Sequence, residues 1–252
     1  MSEHSVTGRG ATQVVDSPDV RRRPRDVRSF WRWTLALVAP IAFLALAGSI
    51  WLLPFDVRAD LPAQLPGIAE HPDRMQAALW LSMVFALFAV PGVIAVAWSG
   101  RRRAPWLSLI GGVIAIVAFA EAGTGAGTDL LAFIGVTQSI GTGQLVAVND
   151  VITTHPGGQV GAVLFVIGQG IGLILLGIAM CQARLAPRWM GILLAASGPA
   201  HVLLPGGNVG VGIGWLLTAV GATTGPNQIA AFSNPGLASN FSKMTSGSSG
   251  VL

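Results

Sequence analysis

The 252-residue sequence carries few charges for its length: 10% of its residues are charged, 52% are hydrophobic, and the mean hydropathy is +0.65. Because soluble domains carry about 25% charged residues, this composition excludes an ordinary water-soluble domain. The formal net charge is +4, but the basic residues stand at the ends of apolar runs, which argues against a nucleic-acid partner. The single cysteine, Cys181, excludes an intrachain disulfide and a multi-cysteine metal site.

Six apolar stretches follow one another along the chain. A helix needs roughly 20 apolar residues to cross a hydrocarbon core about 30 Å thick, and none of these stretches shows the polar stripe of a soluble helix. The sequence therefore predicts an all-α membrane protein, a bundle of about six transmembrane helices within residues 31–223. The predicted spans are residues 33–53, 76–98, 105–122, 159–181, 188–204 and 207–222.

The two ends of the sequence are polar. Residues 1–30 are rich in Ser, Asp and Arg, and residues 224–252 are rich in Ser, Gly, Asn and Pro. Neither end has an apolar period, so both are predicted to be disordered cytoplasmic tails. The first span contains Ala-Leu-Ala at residues 45–47, which resembles a signal-peptide cleavage site, but its apolar run is long and more spans follow. We interpret it as an uncleaved anchor.

The distribution of basic residues indicates the orientation, because Lys and Arg concentrate in cytoplasmic loops. With six spans and both termini in the cytoplasm, 13 of the 15 Lys and Arg residues lie inside, and only Arg58 and Arg74 lie outside. The sequence thus predicts a multi-pass protein of the bacterial plasma (inner) membrane. Membrane lipids are its expected partners.

Residues 130–148 are apolar but are interrupted by Thr, Gln, Ser and Gly. If they formed a seventh span, Arg184 and Arg188 would lie outside, against the charge rule. The segment is therefore predicted to be amphipathic or re-entrant at the outer face.

Two parts of the sequence resemble each other, residues 71–106 and residues 155–189. Each begins with His-Pro, continues through one span, and ends in an Arg-containing loop before Pro105 or Pro187, which favour the first turn of the next helix. Both units would cross the membrane in the same sense. The pattern predicts a parallel duplication of a two-helix unit, related by an axis along the membrane normal.

Apart from Cys181 and Arg188 at span ends, Glu121 and His201 are the only ionisable residues within the predicted spans, and such residues are candidates for function. Glu121 follows Pro105 by 16 residues and His201 follows Pro187 by 14, so at about 1.5 Å per residue they are expected at similar depth. We consider them a candidate ion or proton site. The alternative is that both side chains reach the outer interface, where a charge costs little.

His71 and His155 are weak candidates for a metal site, because imidazole and the nearby outer carboxylates are suitable ligands for transition metals. No HxxxH or HxH spacing supports them, and the alternative is that they are helix-start residues before proline. The run GTGAGTD at residues 123–129 lacks the Gly-Lys-Ser/Thr ending of a phosphate loop. No catalytic residue and no cofactor are predicted.

Two stretches carry a resemblance to a known family: GLILLGIAMCQARLAPRWMGILLAASG at residues 172–198, and LPAQLPGIAEHPDRMQAALW at residues 61–80. They resemble a family of small, uncharacterised multi-pass membrane proteins of high-GC bacteria, a domain of unknown function. The resemblance covers residues 33–222. It implies the fold and the membrane location, and it lends no catalytic residue.

These features favour a small transporter or permease-like unit over an enzyme. One alternative is a structural or accessory subunit that packs against a partner membrane protein, or against a second copy, through its glycine-rich helices. Another is an intramembrane enzyme that acts on a lipid or isoprenoid through Glu121 or the outer histidines. The shortage of ionisable residues within the spans argues against the enzyme and keeps the accessory subunit open.

Overall fold

The computed structural model of the protein describes residues 27–184 and 186–223. Most of residues 1–30, and all of residues 224–252, lie outside this part of the chain, so the predicted tails do too; Val27 already begins a helix. The described residues form nine helices and no strand. The helices are α1 (Val27–Leu52), α2 (Leu61–Glu70), α3 (Pro72–Gly100), α4 (Pro105–Ala120), α5 (Ala122–Thr137), α6 (Thr142–Thr154), α7 (Pro156–Ala183), α8 (Arg188–Leu203) and α9 (Gly207–Ala222).

Six of these helices pack into a closed ring. The order around the ring is α1, α3, α4, α7, α8 and α9, and α9 packs against α1 to close it. Each predicted span corresponds to one helix of the ring, and the predicted all-α membrane bundle is confirmed. Prolines begin α3, α4 and α7, where the missing N–H would have no partner within the helix.

Among the residues that the structure describes, three helical stretches are long and apolar enough to cross a membrane: Pro72–Gly100, Pro105–Thr137 and Pro156–Ala183, with mean hydropathies of 2.3, 1.8 and 2.4. The second joins α4 to α5 across a one-residue break at Glu121. Leu37–Leu52 and Gly207–Ala222 are shorter apolar helices. At 16 residues, α8 is roughly 24 Å long. Crossing by all six helices therefore stays a prediction.

The outside of the ring is covered by large apolar side chains. In a water-soluble protein such a continuous exposed surface would drive association, whereas lipid chains solvate it readily. Tryptophans stand near the helix ends on this surface, as expected for rings at the headgroup level. Exposed examples are Leu87, Ile110, Val160, Ile192 and Leu203 along the helices, and Trp80, Trp98, Trp106 and Trp189 near their ends.

The two ends of the ring differ. The short helices α2, α5 and α6 cover one end, which we call the capped end, and they pack through a second core that includes Leu65, Ile68, Met75, Ala132 and Leu145. Residues 130–148 belong to this cap: they form the end of α5, a turn, and the start of α6. The other end carries the loops of residues 101–104 and 184–187, and we call it the arginine end.

The loops of the capped end are fastened by polar side chains. The backbone N–H of Val57 donates to Oδ1 of Asn208 at 2.7 Å, and Nδ2 of Asn208 donates to the carbonyl of Phe55 at 2.6 Å. Arg58 donates to the carbonyl of Leu204 at 2.9 Å. These bonds join the loop after α1 to the start of α9 and the end of α8.

The two predicted repeat units fold alike. In the first unit α3 has 29 residues and α4 has 16, and in the second unit α7 has 28 and α8 has 16. In each unit the long helix runs from the capped end to the arginine end, and the short helix returns. The units share one connectivity and stand side by side in the ring, as a parallel duplication requires.

Candidate functional site

A cavity of about 660 Å³ lies within the ring at the capped end. It is lined by residues of α1, α3, α7, α8 and α9, together with residues of the cap helices α2, α5 and α6. Sites for small molecules typically have volumes of about 300–1,000 Å³ and combine an apolar lining with a few polar groups. This cavity has the size and the mixed lining of such a site.

The floor of the cavity is an aromatic cluster in the middle of the ring, formed by Phe43, Phe85, Phe119 and Trp215 from four different helices. Phe43 stacks on Trp215 with ring centroids 6.0 Å apart, and Phe85 meets Phe119 edge-on at 5.9 Å. Beyond the cluster, toward the arginine end, the core continues with Leu176, Met180 and Leu194 among others. The cavity is thereby confined to the capped half of the ring.

His201 stands at this floor and is held on three sides. Its ring stacks on Trp215, with centroids 4.6 Å apart and planes 16° apart. Its Nδ1 donates to the carbonyl of Ser197 at 2.8 Å, since a carbonyl can only accept. In a neutral imidazole the other nitrogen is then an acceptor, and Nε2 accepts from the side-chain amide of Gln169. For a neutral imidazole, the bonds thus place the proton on Nδ1.

Gln169 is the partner of His201 across the α7–α8 interface and is only 2% exposed. The side-chain N–H₂ of Gln169 donates to Nε2 of His201. This bond fixes the orientation of the amide and directs Oε1 away from His201. Within the described residues Oε1 has no hydrogen-bond donor. A buried acceptor without a donor costs about 1–3 kcal/mol, so the Gln169 side chain is an incomplete polar group on a residue that lines the cavity.

Carboxylates line the other end of the cavity. Glu121 at the α4–α5 break and Asp129 in α5 both border it, and so does Asp60 at the start of α2. Among the described residues that line the cavity none is Lys or Arg. Within residues 27–184 and 186–223 no basic side chain or hydrogen-bond donor is paired with Glu121 or Asp129. The described lining therefore carries acidic side chains and no Lys or Arg.

The structure brings Glu121 and His201 to the same cavity but not into contact. Oε2 of Glu121 lies against Gly161, where an added Cβ would be 2.9 Å from it, whereas His201 is bonded to Gln169. Gly161 and Gln169 are eight residues apart on α7, about 12 Å along the helix axis. The two backbones nevertheless lie at similar depth: Phe119 and His201 both contact the ring of Trp215, and Glu121 is two residues beyond Phe119, about 3 Å along the helix.

Gln169 and Asp129 are site residues that the sequence interpretation did not place at a site. The repeat holds a signal for Gln169: it follows His155 by 14 residues, as Phe85 follows His71, and His201 follows Pro187 by 14 residues, as Phe119 follows Pro105. The pair Gln169–His201 in the second unit therefore occupies the place of the contacting pair Phe85–Phe119 in the first.

The weak metal candidates lie outside the cavity. His71 joins the end of α2 to the start of α3 and is 3.8 Å from Glu70. His155 caps α7, where its Nδ1 accepts from the N–H of Gly157 at 3.1 Å. In the part of the chain that the structure describes, no group of three or more His, Cys, Asp or Glu side chains is arranged to hold a metal ion.

The ring and its cavity define a helical membrane protein with an internal site of ligand size. A family model described as "Domain of unknown function (DUF4386)" matches residues 33–224. The chain belongs to this family, and the resemblance to an uncharacterised domain family is confirmed. No curated protein and no solved structure matches the chain.

Proposed function

We propose that this protein is a small transporter, a permease-like unit whose substrate site is the cavity at the capped end. The observation that carries the proposal is the confinement of a mixed polar and apolar cavity to one half of a closed helix ring. A transport site must lie inside the bundle, be reachable from one side, and be closed to the other. The aromatic cluster and the apolar core beneath it supply the closed side.

The orientation belongs to the same proposal. α1 begins and α9 ends at the arginine end, so an even number of passes places both at one side. Lys and Arg favour the cytoplasmic side of a membrane, and Arg101, Arg102, Arg103 and Arg184 lie in the loops of this end. The cavity then faces the outside of the plasma membrane, and the state described is outward-facing.

The alternatives have less support from the same contacts. Glycines of the helices are used inside the bundle: a Cβ on Gly172 would lie 2.8 Å from the Cβ of Ala115, and one on Gly177 would lie 2.7 Å from that of Ala195. Glycines with such close contacts are not free to form a face for a partner. For an intramembrane enzyme, both nitrogens of His201 are already engaged.

Blocking the cavity tests the proposal. Ser82 lines the cavity on α3, and the next residue, Met83, faces away from it and is exposed. Proteoliposomes with the purified protein should take up at least one of three labelled probes, tetraethylammonium, glucose and benzoate, faster than protein-free liposomes. Ser82→Trp should abolish this uptake, and the matched control Met83→Trp should retain it.

Two outcomes would contradict the proposal: no uptake of any probe by well-folded protein, or equal uptake by Ser82→Trp and the unmodified chain. Circular dichroism and size-exclusion chromatography of both variants report whether they are folded. If Ser82→Trp fails to fold, Ser82→Phe narrows the same place with a smaller side chain.

A further inference from the structure

We infer that the cavity has a lateral entrance, through which a single-chain amphiphile dissolved in the membrane leaflet at the capped end enters it. The entrance, which we call the side gap, lies on the capped-end side of the end of α8, between Ala162 and Val166 of α7 and Ala59 in the loop after α1. The inference goes beyond the proposed function, because such an entrance serves the cavity whether or not its ligand crosses the membrane.

Helix α7 continues toward the capped end well beyond its neighbour α8. The two helices meet at Gln169 and His201. From there α8 ends two residues later, at Leu203, whereas α7 extends for 13 more residues to its start at Pro156, about 20 Å. The part of α7 beyond the level of Leu203 is therefore not covered by α8.

One row of residues on α7 shows where the side gap begins. Gly170, Val166 and Ala162 are spaced four residues apart and so lie on one face of the helix. Helix α8 packs on Gly170, since a Cβ on Gly198 would lie 2.8 Å from the carbonyl oxygen of Gly170. One turn further Val166 is 48% exposed, and after another turn Ala162 is exposed and lines the cavity. The face that α8 covers at Gly170 is therefore open at Ala162, where it borders the cavity.

The loop after α1 forms the other side of the gap. The guanidinium of Arg58 donates to the carbonyl of Leu204 at 2.9 Å, so the loop rests on the end of α8. Its neighbours in the loop, Val57 and Ala59, line the cavity. The loop and α7 thus border the same cavity on either side of the end of α8.

The side gap lies near the boundary between lipid headgroups and acyl chains, a level that tryptophan rings favour. Trp80 marks this level on α3: it is exposed and lies five residues, about 8 Å, on the capped side of Phe85 in the cavity floor. Val166 lies three residues, about 5 Å, on the capped side of Gln169, which meets His201 at the same floor. The gap therefore opens where acyl chains meet headgroups.

The lining behind the gap has a polar part and an apolar part. Asn149 and Thr153 of α6 line the cavity beneath the cap, and Phe165 and Val211 line it with other apolar side chains. A chain dissolved in the bilayer reaches this lining through the gap without first entering water, which would cost free energy for every methylene. Because the cavity has the volume of a small-molecule site, the matching occupant is an amphiphile with one apolar chain and a small polar head.

Two thiol reagents distinguish the side gap from an aqueous route. The reporter is Ser82→Cys on the cavity lining, combined with Cys181→Ala, in the full chain in lipid nanodiscs. A sulfonated maleimide approaches from water, and N-dodecylmaleimide approaches from the bilayer. Val166→Trp obstructs the gap, since the side chains of α7 lean toward its N-terminus at the capped end. In the matched control Ile167→Trp, the same side chain stands on an exposed residue about 140° around the helix from Ala162.

We expect N-dodecylmaleimide to label Ser82→Cys. Val166→Trp should slow this reaction at least about tenfold, because a filled gap excludes the chain, and should slow the sulfonated maleimide less than about twofold. Ile167→Trp should change neither rate. Met83→Cys, on the outside of the ring, should react slowly with both reagents, because its thiol lacks the water that stabilises a thiolate.

Equal slowing of both reagents by Val166→Trp would overturn the inference, and so would an unchanged rate with N-dodecylmaleimide. Circular dichroism and size-exclusion chromatography report whether the variants are folded. If Val166→Trp fails to fold, Val166→Phe narrows the gap with a smaller side chain.

Protection of the same thiol tests the occupant. Monododecanoylglycerol, which has one apolar chain and a small neutral head, should slow the reaction of Ser82→Cys with the sulfonated maleimide, whereas glycerol should not. Val166→Trp should delay this protection, and Ile167→Trp should not. Absence of protection by monododecanoylglycerol, or equal protection by glycerol, would contradict the inference.

None of these reactions requires transport, so the two proposals fail separately. If Ser82→Trp abolishes uptake of a probe while N-dodecylmaleimide does not label Ser82→Cys, transport stands and the side gap falls. If Val166→Trp selectively slows N-dodecylmaleimide but no probe crosses the proteoliposome membrane, the side gap stands and transport falls.

Discussion

Hydrogen bonds inside an apolar bundle are strong determinants of side-chain orientation, because each unpaired group is left without water. Gln169 and His201 show this at the floor of the cavity, where the two side chains and the carbonyl of Ser197 fix one tautomer and one amide orientation. The equivalent pair in the first unit, Phe85–Phe119, is apolar. One unit of the ring thus closes its middle with aromatic packing, and the other with a polar pair beside the cavity.

This equivalence makes a prediction about stability. Gln169→Leu leaves Nε2 of His201 without a donor and should lower the free energy of unfolding by roughly 1–2 kcal/mol. Adding His201→Phe removes the unpaired nitrogen and restores an apolar pair that can stack on Trp215. The double variant should therefore be more stable than the sum of the single effects.

Thermal unfolding of the purified chain in detergent measures both effects. Phe85→Leu, which changes the apolar pair, serves as the control in which no hydrogen bond is lost. Strictly additive losses in Gln169→Leu and His201→Phe would show that the two side chains do not act as a pair.

At the scale of the helix, close approach of backbones determines the ring. Helices α8 and α9 cross closely at the site: a Cβ on Gly214 would lie 2.6 Å from the Cβ of His201 and 2.7 Å from its backbone N. No rotamer change relieves a contact with backbone, so α9 would have to move. The same displacement would separate Trp215 from His201.

Gly214→Ala should therefore destabilise the protein by about 1–3 kcal/mol, as overpacking of a tight interface generally does. Gly170→Ala is the matched control: Gly170 also lies within a helix, and an added Cβ there meets nothing within 4 Å. Because Ala favours helix over Gly by up to about 1 kcal/mol, the control should be neutral or slightly stabilising. Equal thermal shifts in the two variants would contradict the close packing.

The sequence predicts the helices whose apolar runs are long enough to indicate a helix without any knowledge of tertiary contacts. The cap helices are different. The glycine-rich start of α5 has low helix propensity, and what favours the helix is the packing of Ala132, Phe133 and Val136 with residues of α2 and α6. Such contacts join residues far apart in sequence, so no local sequence pattern predicts them.

In the candidate site, too, the sequence predicts some residues but not their tertiary contacts. Glu121 and His201 could be selected from the sequence because ionisable residues are rare in apolar spans. Their actual partners could not, since the partners of His201 depend on how α8 packs against α7 and α9, and the cavity exists only because the cap helices surround it. The bond between Gln169 and His201 joins α7 to α8, a role that polar side chains often have in apolar helix bundles.

For the whole molecule, we propose that the ring has an apolar outside that faces lipid and a hydrated inside that is reached from the capped end. Ser82 and Met83 lie next to each other on α3, roughly 15 Å from its start, yet Ser82 lines the cavity and Met83 is exposed on the outside of the ring. Adjacent residues thus sample the two environments at nearly the same depth.

The most direct measurement is the labelling of Ser82→Cys and Met83→Cys by a membrane-impermeant maleimide added to intact cells, with Cys181→Ala in both variants. A thiol reacts as the hydrated thiolate, so Ser82→Cys should be labelled from outside and Met83→Cys should stay unlabelled. Labelling of Met83→Cys as strong as that of Ser82→Cys, or labelling of Ser82→Cys only after the membrane is permeabilised, would contradict the account.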